Sequence, residues 1–151
     1  MTRIARIVIE NIPHHVTQRG NYNQKVFNTD IDRIYYIKQI KEYASKHNLK
    51  IIAYCLMSNH VHFIVVPKSK DSMAKTFKMV NAKYAYYFNK KKKQSGHLWQ
   101  NRFYSAYLDE KHCYVAIKYV EQNPVKAGLV SYPWGWRWSS ALYHIGGQDE
   151  F

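Results

Sequence analysis

KIIAYCLMSNHVHFIVV, residues 50–66, contains two apolar, β-rich runs on either side of Ser58-Asn59. Such runs, bounded by a polar pair, predict a hairpin of strands over 50–57 and 60–66. Side chains alternate faces along a strand, so His60 and His62 point one way while Val61 and Phe63 point the other. An isolated pair of this kind is usually solvent-facing or simply hydrogen-bonded. Here the flanks are apolar, and burying two polar rings without a partner is unfavourable. The pair is therefore a candidate for sharing one cation, whose third ligand must come from elsewhere in the chain.

The remaining elements arrange themselves around this hairpin. PHHVTQRG (13–20) reads as a short strand ending at Gly20. Residues 28–48 read as a helix with a capping-box-like start at Thr29 and Asp32 and an apolar stripe of Ile34, Ile37, Ile40 and Ala44. Residues 71–93 read as a second helix, striped by Met73, Phe77, Val80, Tyr84 and Tyr87, which runs into the basic loop KKKKQSG. RFYSAYL (102–108) is a third β-like run. Asp109 then caps a helix over 110–123, striped by Cys113, Ala116, Ile117 and Val120, and Pro124 disfavours its continuation. Trp134, Trp136 and Trp138 alternate as on a strand, with Arg137 between them facing outward. The order fits an α+β, ferredoxin-like βαββαβ domain with an antiparallel sheet and an additional C-terminal helix. Helices would cover one face of the sheet and leave the other available for a site.

The 151 residues suit a single domain over 1–151, and 46% hydrophobic content excludes a disordered chain. No apolar run is long enough for a transmembrane helix, and Met1–Asn11 makes a poor signal peptide. Cys55 and Cys113 read as buried free thiols, which points to a cytoplasmic protein. The 23 Lys and Arg against 10 Asp and Glu, a formal +13, favour a polyanionic partner. Nucleic acid leads and an acidic membrane surface trails. Basic residues interleaved with 14 tyrosines suit a single strand, where cations meet phosphates and rings stack on bases, although most of these rings belong to the core. Lys90, Lys91, Lys92 and Lys93, together with Arg19 and Arg102, are the candidate phosphate contacts.

Tyr119 and Asn123 are four residues apart and share a helical face, with Tyr119 about a third of a turn from the apolar stripe. A phenol beside an amide oxygen that ligates a cation would be a nucleophile site. Against this stands the ordinary half-buried aromatic, with Tyr84, Tyr86 and Tyr87 as rivals. His14 and His15, on the first strand beside the hairpin, read as structural, with the approach of one of them to the metal or DNA as the alternative; Trp99 and Phe103 read as core, with stacking on bases as the alternative.

Five blocks occur in order: PHHVTQRGN (13–21), MSNHVHFIVVP (57–67), GHLWQNRFYS (96–105), YVEQNPVKAGLV (119–130) and WRWSS (136–140). Together they resemble the single-tyrosine HUH transposases, most of all the REP-associated tyrosine transposases. Asn123 matches that branch, where insertion-sequence members usually carry Gln. The resemblance implies a DNA transposase that cuts and rejoins single-stranded DNA beside hairpins. In that role Tyr119 would be the nucleophile forming a 5′-phosphotyrosine, and His60, His62 and Asn123 would hold a divalent cation, Mg²⁺ or Mn²⁺. Imidazole ligands suit Mn²⁺, or adventitious Zn²⁺, Ni²⁺ or Cu²⁺, at least as well as Mg²⁺. It also implies work at the nucleoid, either as a homodimer exchanging the tyrosine helix or as a monomer completing its own site. Two other readings stay open: a catalytically inactive hairpin-binding protein of the same fold, and a small metallohydrolase, which the lack of a well-placed carboxylate near His60 and His62 disfavours.

Overall fold

The computed structural model describes residues 4–147. Four strands, β1 (His14–Arg19), β2 (Leu49–Leu56), β3 (His60–Pro67) and β4 (Tyr104–Tyr107), form one antiparallel sheet in the order β2-β3-β1-β4. With α1 (Asp30–Lys46) between β1 and β2, and α2 (Ser72–Lys92) between β3 and β4, this is the ferredoxin-like arrangement. The hairpin closes through Met57 N–H, which donates to His60 O. Met1–Arg3, part of the stretch read as a poor signal peptide, lie outside the described residues. No helix among the described residues is long and apolar enough to cross a membrane.

Alternation along the strands builds two cores. Val61, Phe63 and Val65 of β3 join Val16 of β1 and Tyr54 and Leu56 of β2 beneath α1 and α2. Thr29 and Asp32 form the expected capping box at the start of α1. Asp32 is 1% exposed and also accepts from the Asn28 N–H, the Tyr87 hydroxyl and the Lys91 amine. Ile34, expected in the α1 stripe, is exposed. The buried face runs through Arg33, Tyr36, Ile37, Ile40, Tyr43 and Ala44, and Ile34 sits about 200° round the helix from Tyr36. Lys90–Lys92 form the last turn of α2, within the helix read over 71–93, and Lys93 caps it in the left-handed region at φ 54°. Cations there complement the helix dipole, and Lys91 pairs with Asp32 at 2.7 Å.

The second core lies on the opposite face. The third helix, α3 (Glu110–Lys126), is capped by Asp109, whose carboxylate accepts from His112 N–H. Its Cys113, Ala116, Ile117 and Val120 pack on Ala53, Cys55 and Ile64. Helices therefore cover both faces, against expectation, but α3 lies over β2 and β3 and leaves the open-face side chains of β1 and β4 beside it. Cys55 and Cys113 are free, as read from the sequence.

Helix α3 also continues through Pro124, whose ring removes only its own N–H from the ladder, while Ala127 N–H still reaches Asn123 O. The tryptophan run is not a strand. Pro133–Gly135 is a short 3₁₀ turn in which the exposed Trp134 stacks on Tyr132. Trp136 Nε1 donates to Leu56 O, and Leu56 N–H donates to Trp138 O. Ser140, ahead of the final turn α4 (Ala141–His144), and His144 both bond Glu121, tying this tail to α3.

Candidate active site

The β1–β3 register pairs Thr17 with His62 and Arg19 with His60. Both strands put alternate residues on the open face, so His15, Thr17, Arg19, His60 and His62 gather there. The His60 and His62 rings stand edge to face, with centroids 4.9 Å apart. His60 Nδ1 lies 2.6 Å from Asn59 Oδ1, an acceptor that places the ring proton on Nδ1 and leaves the Nε2 lone pair free. His15 Nε2 is 3.0 Å from His62 Nδ1, and the two rings stack.

The electrostatics keep these rings neutral. Burial pushes the His62 pKa down to about 3, and His60, His15 and Arg19 add to the shift. Burial and Arg19 also lower His60, and burial alone lowers His15. A neutral imidazole has the lone pair that a cation needs.

Helix α3 brings Tyr119 to this cluster. Its ring centroid is 5.9 Å from that of His62 and 6.2 Å from that of His15, edge-on to both. At 45% exposure it sits at the core margin, where a strand could reach the hydroxyl. The Lys126 amine lies 5.1 Å over the same ring. Asn123, one turn further along, is half-buried, and its Nδ2 lacks a hydrogen-bond partner among the described residues. Tyr84, a rival nucleophile, is sealed in the core with its hydroxyl donating to Val26 O, and Tyr87 bonds Asp32.

Among the described residues no three His, Cys, Asp or Glu side chains are grouped to hold a metal ion. The donor types expected from the sequence, two imidazoles of β3 and the Asn123 amide of α3, make a mixed nitrogen and oxygen set of the kind that fits Mn²⁺ or Mg²⁺ completed by water or phosphate oxygens.

The basic residues divide between two places. Arg19 and Arg102 line one cleft of about 310 Å³ with Thr17 and Tyr104, next to the imidazoles. Lys90–Lys93 end α2, on the other side of the sheet from His60 and His62. Sequence reasoning favoured a structural role for His15 over an approach to the metal or DNA, and did not single out Thr17, Asn59 or Lys126. The alternation of His15, Thr17 and Arg19 was the available signal, but it identifies the open face only once β1 is registered on β3. His14, by contrast, is fully buried, bonding Ile12 O and Ile9 N–H.

A family model described as "Transposase IS200 like" matches residues 8–123. A Haemophilus influenzae protein assigned to the REP-associated tyrosine transposases is 28% identical over 151 residues, covering 87% of this chain and 85% of that one. In three dimensions the chain is similar to a REP-associated tyrosine transposase solved bound to a REP hairpin, with a TM-score of 0.77 at 20% identity, over 96% of this chain and 86% of that one. It is also similar to a Deinococcus radiodurans protein assigned as a transposase, with a TM-score of 0.54 at 14% identity, over 80% and 97%.

Proposed function

The chain belongs to the IS200-like transposase family, and from that premise we propose that it cuts and rejoins single-stranded DNA beside hairpins, with Tyr119 as nucleophile. The observation that carries this reading is the Tyr119 ring standing 5.9 Å from the neutral His62 ring of its own chain. The Tyr119 hydroxyl oxygen attacks the phosphorus, the bond to the 3′ oxygen breaks, and that oxygen leaves as a 3′-OH after taking a proton. The other strand end stays on the tyrosine as a 5′-phosphotyrosine. Attack by a second 3′-OH reverses these bonds and rejoins DNA, so the phosphodiester energy is conserved.

Each neighbouring residue has a part in this scheme. The Lys126 amine stands over the Tyr119 ring and favours the negative charge that develops on the attacking oxygen. His60, His62 and Asn123 would hold Mg²⁺ or Mn²⁺, which would polarise the scissile phosphate. His15 holds the His62 ring in orientation through its 3.0 Å contact. Arg19 and Arg102 receive flanking phosphates, and Lys90–Lys93 would meet more distant ones. A hairpin as the recognised form is supported by the relative solved with one.

In this reading residues 1–151 are one nuclease domain acting on chromosomal DNA in the cytoplasm. Proximity of Tyr119 to its own His62 favours a site completed within one chain over a helix-exchanged dimer. The test is incubation with single-stranded hairpin oligonucleotides and Mn²⁺. A covalent protein–DNA adduct is expected, and Tyr119→Phe abolishes it. Binding that is salt-sensitive, with no adduct and no response to His60→Ala, would leave an inactive hairpin-binding protein.

A further inference from the structure

A groove of about 560 Å³ opens between α2 and the segment leading into β4, away from the imidazoles. Its size falls in the usual range of about 300–1,000 Å³ for small-ligand sites. Phe77, Ala82 and Ala85 of α2 form one wall, and Leu98, Trp99 and Phe103 form the other. A part-buried amide network ties the two walls together at the base of the groove. Gln18 Nε2 donates to Gln100 O and Asn101 O, Gln18 Oε1 accepts from Asn81 Nδ2, and Trp99 Nε1 donates to Asn81 O.

The rim is cationic. Arg6 lies 3.6 Å over the Phe103 ring and donates to Phe103 O, and Arg102 donates to Ile4 O. Arg102 is close enough for its charge to lower the Arg6 pKa, burial being the larger cause. Among the described residues neither guanidinium pairs with a carboxylate, and the exposed Lys78 adds a third cation. Adjacent unpaired cations attract an anion, and the half-buried Trp99, where Phe77 and Phe103 are buried, is the wall ring left for a base to stack on. Arg102 also lines the cleft with Thr17 and Arg19, so the groove and the active face meet at this residue.

We propose that this groove receives one unpaired nucleotide of the single strand leaving the active face, its base against Trp99 and its phosphate on Arg6 and Arg102. The proposal rests on the single-strand reading above. It makes the groove a second recognition subsite, reached round the β4 edge of the sheet.

The test uses the wild-type chain in EDTA and a hairpin oligonucleotide with single-stranded tails carrying one 5-iododeoxyuridine, moved position by position. After irradiation, one tail position, or two adjacent ones, is expected to crosslink to Trp99. Ala85→Leu, which fills the groove, should cut that crosslink at least about tenfold while its melting curve shows it folded. Arg6→Ala should reduce the slope of log affinity against log salt by about 0.7, the value for one single-strand phosphate. Crosslinks confined to Tyr104, Tyr107 or Tyr119, or a Trp99 crosslink indifferent to Ala85→Leu, would overturn the proposal. A chain that forms the Tyr119 adduct with Mn²⁺ but gives no Trp99 crosslink in EDTA loses the groove alone. A Trp99 crosslink in EDTA with no adduct in the separate Mn²⁺ incubation keeps the groove and removes the nuclease.

Discussion

Lowering the pH from about 7.5 to about 5.5 destabilises this chain through His62. An imidazole in the unfolded chain titrates near 6.5, whereas burial, with smaller contributions from its neighbours His60, His15 and Arg19, holds the folded one near 3. Between those values the unfolded state binds more protons, so stability rises with pH and is lost on acidification. At pH about 5.5 the unfolded imidazole is roughly ten-elevenths protonated and the folded one almost wholly neutral. The loss is then about 1.4 kcal/mol, close to tenfold in the folding equilibrium. His14, His15 and His60 are shifted in the same direction and add to the total, so the His62 share must be obtained by difference. Urea unfolding followed by tryptophan fluorescence, with EDTA present, is run at both pH values on the wild type, His62→Asn and His62→Gln. The wild type should lose about 1.4 kcal/mol more than either variant. Equal losses, within about 0.3 kcal/mol, would refute the argument that a dehydrated, cation-flanked ring is held neutral there.

Three further outcomes are expected. A Cβ added at Gly20 would collide with Gln24 O and lie 2.9 Å from Val26 Cγ1, so Gly20→Ala should cost about 1–3 kcal/mol, and an unchanged thermal midpoint would contradict that. Asp32→Ala leaves the Asn28 and Thr29 N–H groups and the Tyr87 hydroxyl without their acceptor. It should cost about 2–4 kcal/mol in urea unfolding, against about 1 for Thr29→Ala. If His15 orients His62, His15→Ala should weaken Mn²⁺ binding about 10- to 100-fold by calorimetry, with partial recovery in His15→Gln. Unaltered affinity would make His15 a bystander.

What could be read from the residues was mostly local. The Ser58-Asn59 hairpin, the Thr29–Asp32 capping box and the Asp109 cap each follow from neighbours within a few positions, and all three are present. The shared face of His60 and His62 follows from strand alternation alone. Less legible were features set by distant partners. Arg33 displaces Ile34 from the buried side of α1 because its guanidinium lies against Phe27, Trp136 and Trp138, the last two from the far end of the chain. Pro124 stays within α3 because the helix is held by packing and by the Glu121 bonds to Ser140 and His144. The Asp32 partner of Lys91 comes from α1, 59 residues away in the chain, and no pattern around Lys91 announces it. His15 reaches His62 through a register between strands 47 residues apart, which no local pattern encodes.

Mass spectrometry of the trapped protein–DNA adduct, after digestion of both chain and oligonucleotide, tests the assignment of Tyr119 most directly. The account predicts a nucleotide 5′-phosphate on the peptide containing Tyr119, and a free 3′-OH on the released strand. A phosphate carried by any other tyrosine, or cleavage that leaves no protein-bound nucleotide, would contradict it.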